Sequence, residues 1–149
     1  MGRDLTAEDR ELRALLGDVH TIAVVGLSSK PGRPSHEVAR YLQRHGYRIV
    51  PVNPNETQVL GEPAYPSLRD APGDLGIDVV DVFRRAEHTP AVAIDAVAIG
   101  AKVLWLQEDI VSEEAAAIAT AGGLDVIMGV CIRQVRERLL AEDRAEDPD

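Results

Sequence analysis

Five short segments hold the side chains best able to bind or react, and each closes an apolar run. The richest is Gly26-Leu27-Ser28-Ser29-Lys30-Pro31-Gly32-Arg33-Pro34-Ser35. A glycine at its head lets the backbone turn sharply and lets a ligand approach it closely. Ser28 and Ser29 offer hydroxyls, and Lys30 and Arg33 offer cations. A helix capped by Ser35 would add free N–H groups and a dipole that favour an anion. Together these features suit a phosphate or pyrophosphate. An ordinary strand–helix turn with a charged surface would use the same residues. The spacing, Gly26 then Gly32, is neither the G-x-G-x-x-G dinucleotide fingerprint nor a G-K-[ST] loop.

The second segment is Pro51-Val52-Asn53-Pro54. Val52 and the prolines could line an adenine, and Asn53 could hydrogen-bond it. A nicotinamide dinucleotide site wants an acid here for the ribose hydroxyls, and none is present. The third is Phe83-Arg84-Arg85, whose guanidinium groups could meet phosphates bidentately or stand as solvated charges. The fourth is Leu106-Gln107-Glu108, with Gln107 and Glu108 placed for ligand contact just beyond Trp105, a core residue. The last is Gly129-Val130-Cys131. A lone cysteine ordinarily behaves as a small buried hydrophobe. At a strand end Cys131 could instead face a ligand thiol and, under oxidising conditions, form a mixed disulfide with it.

No catalytic or metal-binding set emerges. There is no G-x-S-x-G elbow and no H-E-x-x-H pair. His20, His36, His45 and His88 fall at element borders. His36 is read as a surface residue beside the first loop, and His45 as a helix-terminal one. Asp81, inside an apolar run, reads as a hydrogen-bonded structural acid rather than a catalytic one. One cysteine and four scattered histidines do not make a zinc cage.

The elements that must position these segments alternate. Apolar, β-branched runs predict strands over 21–27, 47–52, 77–83, 102–106 and 124–128. Helices are expected over 7–16, 35–45, 89–99 and 132–141, and from a Ser112 cap to residue 121. Thr6 is the expected cap of the first, with Asp9 three residues on and Gly17 as its stop. Between 56 and 76 the pattern is mixed, with a turn at 60–63, a short edge strand at 64–65 and one helical turn at 67–71. Such alternation gives an α/β fold: a doubly wound, mainly parallel five-stranded sheet with helices on both faces. Ligands of such sheets bind beyond the carboxyl ends of the strands, where strand order reverses. All five segments lie at those ends.

The length of 149 residues fits one domain, divided here into a capping helix (1–20), the α/β domain (21–141) and an acidic, flexible tail (142–149). The net charge of −9 and only five aromatic residues argue against nucleic-acid binding. No apolar run is long enough to span a membrane, and the start of the chain has no apolar signal region. With one cysteine, the cytoplasm is the expected compartment. No interface patch is legible, so a homo-oligomer or a protein partner stays open.

Four motifs, in order, resemble a known family. They are Ala23-Val24-Val25-Gly26-Leu27-Ser28-Ser29-Lys30-Pro31-Gly32-Arg33-Pro34-Ser35, Val50-Pro51-Val52-Asn53-Pro54, Val79-Val80-Asp81-Val82-Phe83-Arg84-Arg85, and Gly100-Ala101-Lys102-Val103-Leu104-Trp105-Leu106-Gln107. The chain resembles the small stand-alone coenzyme A (CoA)-binding proteins, themselves similar to the N-terminal CoA-binding domain of the succinyl-CoA synthetase alpha subunit. The resemblance covers roughly residues 21–140 and implies a Rossmann-like fold. It places the CoA phosphates on Ser28, Ser29, Lys30 and Pro31, and the adenosine against Val52, Asn53 and Pro54. Phe83 and Arg84 would border the nucleotide or pantetheine arm, with Leu106, Gln107 and Glu108 on the far side. The synthetase's catalytic histidine belongs to a later domain, so ligase activity does not carry over. Where the synthetase has a lysine near the adenosine phosphate, this chain has Asn55-Glu56, which leaves the 3′-phosphate to Arg33, Arg84 or Arg85. Related proteins often carry a charged pair before the cysteine, where this chain has Gly129-Val130. The expected function is non-catalytic binding of CoA or an acyl-CoA, as carrier, sensor or regulator. The alternatives are an NAD(P)-binding oxidoreductase or redox sensor, and a small acyl-CoA-processing enzyme.

Overall fold

The computed structural model describes residues 1–145, with side chains through residue 140. In chain order the elements are α1 (Asp9–Asp18), β1 (Thr21–Val25), α2 (Pro34–Arg44), β2 (Arg48–Val52), β3 (Gln58–Val59), β4 (Glu62–Pro63), β5 (Val79–Val82), α3 (Thr89–Ala98), β6 (Val103–Glu108), α4 (Glu113–Ala121), β7 (Asp125–Gly129) and α5 (Ile132–Ala145). Five of the strands form one parallel sheet in the order β2-β1-β5-β6-β7, and β3 and β4 make a separate antiparallel hairpin.

Apolar side chains alternate between the two faces of the sheet. Ile22, Val24, Val79, Trp105 and Ile127 form one core with residues of α1, α2 and α5. Ala23, Val25, Val80, Leu104 and Val126 form the other with α3 and α4. β1 is buried along its whole length, as a central parallel strand must be. The helix between β1 and β2 lies on one face, and α3 and α4, which follow β5 and β6, lie on the other. The chain winds outward first one way and then the other from β1, and right-handed crossovers then demand opposite faces.

Both sheet edges are covered. Residues 3–5 run alongside β7, with the Leu5 amide donating to the Val126 carbonyl and the Val126 amide to the Arg3 carbonyl, both at 2.8 Å. On the other edge the Tyr65 amide donates to the Pro51 carbonyl at 3.0 Å. Pro51 has no N–H to give, and an edge strand is where a sheet tolerates that.

Several local expectations needed correction. α1 begins after Glu8 with no side-chain cap. Thr6 instead turns its hydroxyl oxygen to the Met128 amide at 3.0 Å, tying the N-terminal strap to β7. Ser35 lies within α2, after Arg33 and Pro34, and does not cap it. β1 ends at Val25 because Gly26 turns away with φ of +89°. Ser112 does cap α4, accepting from the Ala115 amide at 3.1 Å. α5 continues to Ala145 rather than stopping at 141, and residues 146–149 of the expected acidic tail lie outside the described residues.

Candidate functional site

Strand order reverses between β1 and β5, and a cleft of about 540 Å³ opens there beyond the strand ends. Gly26, Val52, Asn53, Pro54, Phe83 and Arg84 line it from the sheet side. Gly26 is required on two counts. Its φ is left-handed, and a Cβ would lie 2.5 Å from the Phe83 carbonyl oxygen. Its amide donates to the Val52 carbonyl at 2.8 Å, so the ends of β1, β2 and β5 converge on one residue without a side chain.

The loop from Ser28 to Arg33 adjoins the cleft and is internally bonded. The Ser28 amide donates to Ser35 Oγ at 3.0 Å, and the Lys30 amide to Ser28 Oγ at 3.1 Å. Ser35 therefore folds the loop back onto α2 instead of capping it. The Gly32 amide donates to Glu37 Oε2 at 3.1 Å, and Arg40 holds the other oxygen of that carboxylate at 3.0 Å. Glu37 is held below the usual carboxylate range, first by that amide and then by neighbouring cations. The Ser29 amide donates to Glu56 Oε2 at 2.9 Å. Asn53 latches the two loops together, its Nδ2 donating to the Leu27 carbonyl at 3.0 Å and its Oδ1 accepting from the Asn55 amide at 2.9 Å.

Donors nevertheless remain for an anion. The amides of Ser35 and His36, in the first turn of α2, make no hydrogen bond among the described residues. Nor do the side chains of Arg33, Arg84 and Arg85, which are exposed. The guanidinium of Arg84 thus lines the cleft, with Arg33 and the start of α2 beside it in the adjoining loop.

The structure separates the sequence-derived candidates into four groups. Gly26, Val52, Asn53, Pro54, Phe83 and Arg84 line the cleft. Ser28, Ser29, Lys30, Pro31, Arg33 and Ser35 form the adjoining loop and helix start, with Leu27 buried beneath them. Arg85 and Glu108 are exposed and outside the cleft. Leu106, Gln107 and Cys131 are buried and contribute nothing to it. Gln107 was expected to reach a ligand. Its Oε1 instead accepts from the Ile132 amide at 3.0 Å and so satisfies the start of α5. Cys131 packs in the α1, α2 and α5 core, whereas the apolar floor of the cleft (Val25, Val52, Leu68, Val92) belongs to the opposite face.

Two further expectations are corrected. His36 is buried rather than superficial, with its Nδ1 2.9 Å from the Ser28 carbonyl. Asp81 is fully buried, and neither carboxyl oxygen has a hydrogen-bond partner among the described residues. Trp105 is core as expected, its Nε1 donating to the Val130 carbonyl at 2.8 Å.

The α3 side of the cleft was missed. Ala91, Val92 and Asp95 project from α3 and His88 lies just before it, while Asn55, Pro66 and Ser67 complete the lining. Asp95 is engaged by Arg69 Nε at 2.6 Å. The spacing 88, 91, 92, 95 is one face of a helix, so periodicity on α3 was a usable signal. Its apolar share also reads as core packing, which hid it.

A family model described as CoA binding domain matches residues 20–136. An uncharacterised Bacillus subtilis protein, YneT, is 43% identical over 123 residues, covering 83% of this chain and 90% of that protein. The solved structure of a hypothetical protein from Pyrococcus horikoshii OT3 superposes with a TM-score of 0.86 at 38% identity, covering 94% of this chain and 98% of that one. An Archaeoglobus fulgidus acetate–CoA ligase (ADP-forming) is 30% identical over 96 residues, covering 63% of this chain but only 14% of the ligase.

Proposed function

The chain belongs to the CoA-binding domain family, and from that premise we propose that it holds CoA or an acyl-CoA in the cleft between β1 and β5 without transforming it. The observation that carries this reading is the position of the cleft. It lies at the switch point of the sheet, has apolar residues for an adenine and has unpaired arginines at its border. The adenosine would rest on Val25, Val52 and Pro54, with the phosphates toward Arg84, Arg33 and the first-turn amides of α2. Such a protein would act as a carrier, sensor or regulator.

The lining residues support binding over catalysis. Ser67 donates to Asp70 at 2.8 Å with no histidine between them, and Asp95 is engaged by Arg69. Neither is a nucleophile oriented by a base. No helix among the described residues is long and apolar enough to cross a membrane. The free Cys131 suits a reducing compartment, which supports placing the protein in the cytoplasm.

The test is calorimetric titration of ligand-stripped protein with CoA, acetyl-CoA, NAD⁺ and NADPH. Binding confined to the CoA species is expected. Arg84→Ala should weaken it about tenfold or more, the usual effect of losing a charge-assisted contact. Preference for a nicotinamide nucleotide would move the protein to a redox role. Turnover of acetyl-CoA would make it an enzyme.

A further inference from the structure

The Ser28–Arg33 loop satisfies its amides in an uneven way. The Ser28 and Lys30 amides use serine oxygens of the loop and of α2, and the Gly32 amide uses Glu37 of α2. Only Ser29 takes its acceptor from another segment, Glu56, 27 residues along the chain and beyond the end of β2. The Glu56 side chain is aimed by a built turn. Its own amide donates to the Asn53 carbonyl at 3.2 Å, and the Asn53 side chain pins Asn55 and Leu27 on either side. Glu56 is thus an anion delivered to a backbone donor at the cleft's border. The Ser29 amide, then its hydroxyl, and Lys30 hold the Glu56 carboxyl below the usual carboxylate range.

A carboxylate on a backbone N–H offers the same chemistry as a phosphate oxygen in that place. We infer that Glu56 is an internal competitor for the ligand's phosphates, occupying the Ser29 donor until a phosphoanion displaces it. This rests on the phosphate-binding reading above and adds its affinity-setting residue. One donor cannot serve both anions at full strength, and the two charges repel. Binding therefore includes the loss of the Glu56 bond, and affinity is lower than the cleft alone would give. The displaced carboxylate also releases the Asn55-Glu56 turn from the loop, so ligand entry and the freedom of this turn are coupled.

Glu56→Gln tests this, because it keeps length and shape while removing the charge. Two readouts are followed in the whole protein: CoA affinity by calorimetry, and the Ser29 amide by ¹H–¹⁵N NMR during titration with inorganic pyrophosphate. Glu62→Gln, which removes a carboxylate from the nearby β4 without touching the loop, controls for net charge. Glu56→Gln should tighten both CoA and pyrophosphate by about threefold to tenfold, Glu62→Gln by less than about twofold. In the wild type, pyrophosphate should shift the Ser29 amide. Equal CoA affinities for wild type and Glu56→Gln, with Ser29 unmoved by pyrophosphate, would overturn the competition and leave the CoA reading standing. Tighter pyrophosphate binding without any CoA binding would keep the competition and remove the CoA reading. An equal gain in Glu62→Gln would reduce the effect to bulk charge and overturn the inference. Failure of both ligands to bind either protein would overturn both.

Discussion

Asp81 shows how one buried residue sets a pH dependence. It lies in the second-last position of β5, paired in register with Val24 and Trp105, with no hydrogen-bond partner for its carboxyl among the described residues. Burial pushes that carboxyl well above the usual range, so the folded chain holds the proton to higher pH than the unfolded chain does. The unfolded chain releases it from about pH 4 upward. Unfolded protein then binds fewer protons than folded, and stability falls as pH rises above about 4. Asp81→Asn removes this titration. At pH 8 the variant should be more stable than wild type by about 1–3 kcal/mol, and the difference should shrink toward zero at pH 4. Urea midpoints at both pH values measure it, and a constant difference would show that Asp81 does not hold its proton.

At the scale of elements, a second acid works in the opposite direction. Asp78, just before β5, accepts from the His20 and Thr21 amides through Oδ2 at 2.9 and 3.1 Å, and Lys102 Nζ lies 3.2 Å from Oδ1. It therefore joins the starts of β1, β5 and β6. Burial raises its carboxyl, but the two amides and Lys102 outweigh burial and leave it below the usual value. A lowered folded value gives stability that is present above the unfolded value near pH 4 and is lost as pH falls below it. Asp78→Ala strands two amides at the edge of the core and should cost about 1–3 kcal/mol at pH 7. Thermal unfolding at pH 7 and pH 3 should show the loss narrowing in acid. An equal loss at both would assign the effect to packing rather than charge.

For the molecule as a whole, stability depends on a strap that crosses to the far edge of the sheet. The Leu5 side chain is buried with Leu12 and Leu16 of α1, while the backbone of Arg3 and Leu5 pairs with Val126. The strap both fills that core and covers the open edge of β7, and an uncovered parallel edge invites pairing with another chain. Leu5→Ala should lower stability by about 2–4 kcal/mol. It should also speed hydrogen exchange at the Val126 amide, which donates to Arg3. Unchanged exchange at Val126 would mean that the strap holds its place without Leu5.

What the sequence determined by itself is what is local. Apolar runs of strand length, helix-stop glycines and turn prolines dictated the alternation of elements, because strand and helix periods are written in neighbouring residues. From that alternation the parallel sheet and the strand ends followed, and with them Gly26, Asn53 and Arg84. Part of what was missed was also written locally. Gln107 stands two residues after Trp105, and the two-residue period of a strand carries it to the same buried face. Tertiary structure alone decided which strand ends meet. No local pattern tells β5 to pair with β1, yet that pairing opens the cleft and brings the α3 face onto it. Nor does local sequence show that Glu56 reaches Ser29, or that Asp81 finds no partner. Those facts depend on contacts between segments far apart in the chain, and such contacts exist only once the sheet has formed.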